Sequence, residues 1–187
     1  IDIKGPDAEH LLDLVYTNRF SSLAVGKVRY GLMLREDGHV MDDGTTARLD
    51  QHHFLMTTTT AAASLVMRHL EYVHQCLHPE WDVSFTSVTE HWTQFAIAGP
   101  KARDLLNGLL EQPINNEEWS FMSCGQVNII GISGRLFRIS FSGELGFELA
   151  VPSRYGDSLF RILSARAEEL GGFCYGMEAL NVLRVEK

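Results

Sequence analysis

The sequence has few cysteines and a deficit of positive charge. Its 187 residues include three cysteines, and 16 Lys plus Arg stand against 24 Asp plus Glu, for a formal net charge of −8. Three cysteines spaced far apart form neither a disulfide framework nor a CxxC metal motif, so we expect a reducing, cytoplasmic compartment. The acidic balance argues against a nucleic-acid binder, because binding a polyanion requires a basic face.

Long apolar runs and the common nucleotide motifs are also missing. No stretch approaches the roughly 20 apolar residues that a membrane span needs, and no basic-then-apolar leader opens the chain. GxGxxG, P-loop and GxSxG motifs do not occur, which argues against a Rossmann site, a nucleotide phosphate cradle and a hydrolase elbow. A hydrophobic fraction of 45% with 21% charged residues is typical of a folded globular protein.

One segment of the chain occurs twice. Residues 3–12 (IKGPDAEHLL) and 97–106 (IAGPKARDLL) share Ile, Gly, Pro, Ala and a Leu pair at the same positions. In each copy a strand is predicted to end at Gly, Pro to occupy the first helical turn, and an apolar stripe to follow. We interpret this match as a duplication; the alternative is chance, because Gly-Pro is common before helices.

The segments after each copy have parallel patterns. The first copy is followed by predicted strands over 27–35, 40–49, 53–58 and 83–88 and a helix over 61–73. The second is followed by predicted strands over 126–132, 135–141 and 146–151 and helices over 155–170 and from about 176 onward. Strand, helix, strands, helix, strand, twice over, predicts an α+β fold of two related ferredoxin-like split βαβ halves, 1–91 and 92–187. We expect the whole chain to be a fragment of a longer protein.

Three carboxylates are the main candidates for chemistry. Asp42 and Asp43 are adjacent in a predicted strand, so their side chains should point to opposite faces. Adjacent Asp residues are disfavoured in strands, and such a local conflict often marks function; a solvated turn pair is the alternative. Glu148 alternates with the apolar residues of its strand, so it should face solvent or a pocket, where it could accept two parallel N–H donors.

Two further clusters have simple structural interpretations. Four threonines at 57–60 connect a strand to a helix; we predict that Thr60 caps the helix, and Thr59 stays open as a ligand contact. His69, His74 and His78 lie on or after one helix. Without an HExxH motif or a third ligand at usable spacing, we expect no metal site there.

Several ordered motifs resemble the folate-binding aminomethyltransferase family, which includes the T protein of the glycine cleavage system. The general motifs are YGLM at 30–33, DGHVMDD at 37–43 and FSGELGFE at 141–148. Within that family, the sequences FLMTTTT at 54–60, FTSVTEHW at 85–92 and VLRVEK at 182–187 are most similar to the sarcosine oxidase alpha-subunit branch. The resemblance covers essentially all 187 residues, and it implies the family's folate-binding fold.

The resemblance implies tetrahydrofolate as the bound cofactor and assigns residues to it. By position, Asp43 corresponds to the family carboxylate near N5 and N10 of the folate, and Glu148 to the carboxylate that binds the pterin amino group and ring N–H. Tyr30 matches a family aromatic residue near the ligand. The assigned catalytic residue is therefore Asp43, and no metal is implied.

Three positions depart from the glycine cleavage T protein. Phe141 stands where that protein has Tyr, which keeps an aromatic wall but loses a hydroxyl. Thr59 stands where it has Asn, and Leu180 where it has Arg. The change at Thr59 is shared with the sarcosine oxidase branch, and the loss of Arg weakens the aminomethyl-transfer interpretation.

The implied reaction joins an oxidase to a folate site. Sarcosine would be oxidised at a flavin site outside this chain, and the one-carbon unit would reach tetrahydrofolate to give 5,10-methylenetetrahydrofolate. Flavin, NAD and the other sarcosine oxidase subunits are expected only beyond these residues. The alternatives are a stand-alone aminomethyltransferase acting with a lipoyl carrier protein, and a non-catalytic folate-binding module.

Overall fold

Nine strands form two separate antiparallel sheets in the computed structural model, which describes residues 1–187. Backbone packing divides the chain into a first unit, Ile1–Thr89, and a second unit, Glu90–Lys187. The division lies two residues before the boundary expected from the sequence. Each unit has its own sheet and its own hydrophobic core, so each is described separately.

The first unit carries a five-stranded sheet. Its elements are β1 (Asp2–Lys4), α1 (Ala8–Val15), β2 (Lys27–Leu34), β3 (Val40–Asp50), β4 (His53–Met56), α2 (Ala63–Tyr72) and β5 (Ser84–Thr86). The strand order is β2-β3-β4-β1-β5, and every pairing is antiparallel. Because β1 lies between β4 and β5, this is the split βαβ arrangement, with β2 added at one edge.

The second unit repeats this arrangement with one strand fewer. Its elements are β6 (Trp92–Ala98), α3 (Ala102–Asn107), β7 (Cys124–Ile129), β8 (Ile132–Phe137), β9 (Gly146–Pro152), α4 (Gly156–Glu169) and α5 (Met177–Glu186). The strand order is β6-β9-β8-β7, so β6 lies at an edge. The residues that correspond to β5 by the repeat spacing lie in α5, the helix predicted from about 176 onward, so this half has no closing strand. The α+β fold with two related antiparallel sheets is otherwise confirmed.

The repeated segment adopts the same conformation in both units. Gly5 and Gly99 have φ values of 135° and 123°, a region that favours glycine, and each connects a strand to a helix. The following leucines, Leu12 and Leu106, are both fully buried in their cores. Each proline lies two residues before its helix begins. The prolines therefore restrict the backbone at the helix entry and, contrary to the prediction from the sequence, are not part of the first helical turn.

Two predicted boundaries were wrong for local reasons. The turn between β7 and β8 lies at Ile130 and Gly131, with φ values of 43° and 77°, a pair of positive angles typical of a tight hairpin turn. Both strands therefore begin and end earlier than predicted, and Phe141 lies in the loop before β9. The predicted helix over 61–73 begins as a 3-10 turn at Thr60–Ala62 and continues beyond α2 as a π-helical turn at Val73–Leu77.

No helix is long and apolar enough to span a bilayer.

Candidate functional site

The aspartate pair on β3 faces in two directions, as the alternation predicts. Asp42 is opposite Met33 of the core, and its side chain is only 6% exposed. Asp43 is opposite Leu32 and half-buried, on the face of the sheet turned away from the helices. One carboxylate is thus available for structure and the other for a ligand.

Asp42 holds the beginning of the segment that leads to α2. Both of its carboxylate oxygens accept from the backbone N–H of Thr59 at 3.2 Å. The carbonyl oxygen of Thr59 accepts from the N–H of Ala62 at 3.0 Å, which starts the 3-10 turn. The carboxylate therefore satisfies an N–H group at a helix entry from a neighbouring strand, as a capping residue does from within the chain.

The threonine segment is bound to β3 by hydroxyl contacts. Oγ1 of Thr57 accepts from the Thr45 N–H at 3.0 Å and donates to the Thr45 carbonyl at 2.9 Å. A Cβ at Gly44 would lie 2.2 Å from the Thr57 carbonyl oxygen, so only glycine permits this approach. The prediction that Thr60 caps the helix was wrong: the residue before the 3-10 turn is Thr59, and no side-chain cap bond forms there.

Tyr30 and Asp43 are brought together within the first unit. The Tyr30 hydroxyl donates a hydrogen bond to the Asp43 carboxylate. Tyr30 lies on β2, opposite Thr45 and diagonal to Asp43, and 53% of its side chain is exposed. The hairpin therefore presents an oriented carboxylate and an aromatic ring side by side on an open face.

Glu148 is the corresponding carboxylate of the second unit. Its neighbours Phe147 and Leu149 are buried in the core, so Glu148 points to the opposite face of β9 and is half-buried there. Burial raises its pKa above the ordinary value of 4.5. Gln94 of β6 donates a side-chain hydrogen bond to its Oε2 atom. The carboxylate therefore lies on the sheet face away from the helices, beside the buried Phe137, with one oriented oxygen.

Phe141 lies in the loop between β8 and β9, with 46% of its side chain exposed. The guanidinium of Arg184, on α5, lies over its ring at 5.6 Å from the centroid. Lys187 also reaches this loop, with Nζ 3.5 Å from the Ser140 carbonyl oxygen. Leu180 lies one helical turn before Arg184 on α5 and is half-buried.

The histidines of the first unit make contacts of their own. The His74 ring is hydrogen-bonded to the Trp81 carbonyl oxygen at 3.1 Å. His78 stacks on the Trp81 ring at 3.9 Å and pairs with Glu80. Burial lowers the pKa of His69, which favours its neutral form. No group of three or more metal-binding side chains occurs in the structure.

Sequence reasoning did not consider Gln94 and did not foresee the contact that Asp42 makes. Asp42 was noted only as half of a pair, and its anchoring of Thr59 depends on the position of a distant segment. Gln94 was not considered, although it alternates with Phe95 and Ile97 in a strand. That alternation placed it on the polar face, but its contact with Glu148 depends on β6 pairing with β9.

Comparison with known proteins identifies the family. The sequence family described as the GCVT N-terminal domain matches residues 1–187. The sarcosine oxidase alpha subunits of Rhizobium meliloti and of Corynebacterium sp. strain P-1 are 51% and 43% identical over all of this chain. The chain spans 19% and 20% of their lengths. An aminomethyltransferase of Chloroherpeton thalassium is 29% identical over 99% of the chain and 49% of its own length.

Two solved structures share the fold. The glycine cleavage system aminomethyltransferase T from Bartonella henselae has a TM-score of 0.80 at 23% identity, over 99% of this chain and 47% of that one. A chain of the heterotetrameric sarcosine oxidase from Corynebacterium sp. U-96 has a TM-score of 0.62 at 14% identity, over 94% of this chain and 82% of that one. With the family match over its full length, the chain belongs to the GCVT N-terminal domain family.

Proposed function

We propose that this chain is the tetrahydrofolate-binding portion of a sarcosine oxidase alpha subunit. The observation that carries the proposal is that each unit places a half-buried carboxylate, Asp43 or Glu148, on the sheet face opposite its helices. The 51% identity to the alpha subunit of Rhizobium meliloti supports the oxidase branch.

In the second unit, the residues fit the ring of a reduced folate. The ring edge carries an amino group and an adjacent N–H, and Glu148 offers carboxylate oxygens that accept such donors. Ala96 lies on β6 directly opposite Glu148 of β9. Its side chain is small and exposed, so it leaves room beside the carboxylate. Phe141 is an aromatic residue with 46% of its surface exposed, and the Arg184 guanidinium lies over its ring. Glu148 and Phe141 are the proposed binding residues of this unit.

In the first unit, Asp43 is the proposed catalytic residue. Bound tetrahydrofolate would supply N5 and N10 as acceptors of the one-carbon unit, with 5,10-methylenetetrahydrofolate as product. The Asp43 carboxylate stabilises positive charge that develops beside it and accepts a proton. The Tyr30 hydroxyl fixes the orientation of this carboxylate. Thr59, held by Asp42, is the third proposed ligand contact.

The rest of the proposed reaction requires parts beyond this chain. Flavin and NAD would bind elsewhere in the longer protein, and the other oxidase subunits would be its partners. One solved relative is described as a heterotetramer, which supports such an assembly. Three free cysteines support a reducing cytoplasmic location.

A stand-alone aminomethyltransferase is the second candidate, favoured by the fold shared with the Bartonella henselae enzyme. Co-purifying chains distinguish the two functions, because oxidase subunits support the first and a lipoylated carrier supports the second. Leu180 favours the oxidase, since the resemblance to the T protein implies an Arg at this position.

The test is a calorimetric titration of the protein with folinic acid, a stable reduced folate. We expect saturable binding, because Glu148 accepts from the ring N–H groups, and we expect Glu148→Ala to weaken binding strongly. Glu168→Ala, at an exposed position on α4 of the same unit, is the matched control and should bind like the parent protein. Folate binding that is equal in the parent and in Glu148→Ala would remove Glu148 from the site.

A further inference from the structure

Gln94 is the polar side chain in contact with Glu148. Its Nε2 atom donates to Oε2 of the carboxylate, while its own side-chain oxygen stays available as an acceptor. Gln94 itself is exposed, so this contact contributes little to the core of the second unit. The Gln94 side chain is therefore not part of the packed core.

The strand register explains how the two side chains meet. Glu148 is directly opposite Ala96, and Gln94 is opposite Ala150, so the Gln94–Glu148 contact is diagonal across β6 and β9. Alanines at both directly opposite positions have short side chains, so the longer side chains of Gln94 and Glu148 can meet diagonally. β6 is the edge strand of the sheet, so Gln94 lies where a ligand can reach it.

A half-buried carboxylate is disfavoured in its charged form unless it receives a donor. Burial raises the pKa of Glu148 and so disfavours its ionised form. A hydrogen bond from an amide N–H, such as that of Gln94, favours the ionised form of a carboxylate. Removing the Gln94 amide would leave Glu148 more easily protonated and free to rotate. A protonated or rotated carboxyl group accepts parallel N–H donors less well.

We propose that Gln94 is a positioning residue that keeps Glu148 ionised and oriented to accept the N–H donors of a reduced folate. This inference rests on the proposed function and adds a residue to its site. Gln94 donates to Oε2, which leaves Oε1 and the second lone pair of Oε2 to accept the two N–H donors of the ligand. Because the carboxylate oxygens of Glu148 only accept hydrogen bonds, they favour a ring edge with N–H donors over a ring edge with carbonyl acceptors.

The test compares Gln94→Met with Gln126→Met in the purified protein. Met keeps the length of the side chain and removes its amide, and Gln126 is exposed on β7, two strands away from Glu148. Carboxyl NMR of the unliganded protein measures the Glu148 pKa, and folinic acid titration measures affinity. We expect Gln94→Met to raise the Glu148 pKa and to weaken folinic acid binding about 10-fold, with both values unchanged in Gln126→Met.

Two outcomes distinguish failure of this inference from failure of the proposed function. If Glu148→Ala weakens binding while Gln94→Met changes neither the Glu148 pKa nor the affinity, Glu148 binds folate and Gln94 does not position it. If Glu148→Ala binds folinic acid normally, the binding role of Glu148 is wrong; a raised Glu148 pKa in Gln94→Met would then still establish the positioning contact.

Discussion

The two units share a scaffold but place their candidate carboxylates on different strands of it. Both units contain a strand, a glycine turn and a helix in that order. Both also bury the leucine of the same repeat position, Leu12 or Leu106, in the core between sheet and helices. Asp43, however, lies on β3, and Glu148 lies on β9, which corresponds to β4 in the first unit. The two units therefore share the packed faces of their sheets and differ in the residues of the opposite faces.

The units also differ in how their sheets end. In the first unit β5 covers the free edge of β1, whereas in the second unit β6 stays at the edge and α5 occupies the corresponding sequence. α5 has no buried residue, and its side chains include Met177 at 70% and Val185 at 80% exposure. The first unit is thus the more complete form of the repeat, and its stability should depend less on contacts outside the chain.

The largest expected effects come from truncating the repeated leucine of each core. We expect Leu12→Ala and Leu106→Ala each to lower the free energy of unfolding of its unit by about 2–5 kcal/mol, because each leaves a buried cavity. Chemical denaturation followed by fluorescence measures the loss. Leu14→Ala, at a half-exposed position on α1, is the control and should cost about 0.5 kcal/mol or less. A near-neutral result at Leu106 alone would contradict equal packing in the two copies.

A smaller effect is expected from removing the carboxylate that is specific to the first unit. Asp42→Ala leaves the Thr59 N–H without its acceptor and should destabilise the segment by about 1–3 kcal/mol. Asp42→Asn keeps one amide oxygen and should cost less. Hydrogen exchange of the Thr59 amide measures the loosening. Unchanged exchange in Asp42→Ala would show that Asp42 does not anchor this segment.

The smallest expected effect is a pH dependence that belongs to the second unit. The Glu148 pKa is raised in the folded protein, so the folded state binds the proton more tightly than the unfolded state. The free energy of unfolding therefore falls as pH rises from the ordinary Glu pKa to the raised one, and is constant above it. Glu148→Gln should remove this slope, as measured by denaturation across pH. A slope that persists in Glu148→Gln belongs to another group.

Much of the fold could be predicted because the repeat and the alternation are local signals. The turns at Gly5 and Gly99 follow from the repeated sequence. The opposite directions of Asp42 and Asp43 and the outward direction of Glu148 follow from side-chain periodicity. The helix boundaries and the β7–β8 turn were less well predicted, because Ile130 takes a positive φ that its sequence does not signal. The helix predicted from about 176 onward is present as α5, so the second copy lacks the closing strand that the repeat pattern implied.

The contacts of the candidate site were beyond sequence reasoning because they depend on register. The Tyr30–Asp43 contact requires β2 and β3 to pair with a shift at Met33 and Leu34. The Gln94–Glu148 contact requires β6 to pair with β9, and these two strands are neighbours in the sheet but not in the sequence. Residue types and faces can be read from a sequence, whereas diagonal partners cannot.

We propose a division of roles in which Asp43 of the first unit acts in transfer and Glu148 of the second unit acts in binding. The most direct test is single-turnover transfer of formaldehyde to tetrahydrofolate by the full-length protein at saturating and subsaturating folate. We predict that Asp43→Asn lowers the saturated rate about 100-fold or more with little change in folate affinity. Glu148→Gln should raise the dissociation constant and keep most of the saturated rate. A normal saturated rate in Asp43→Asn, or normal affinity in Glu148→Gln, would contradict the account.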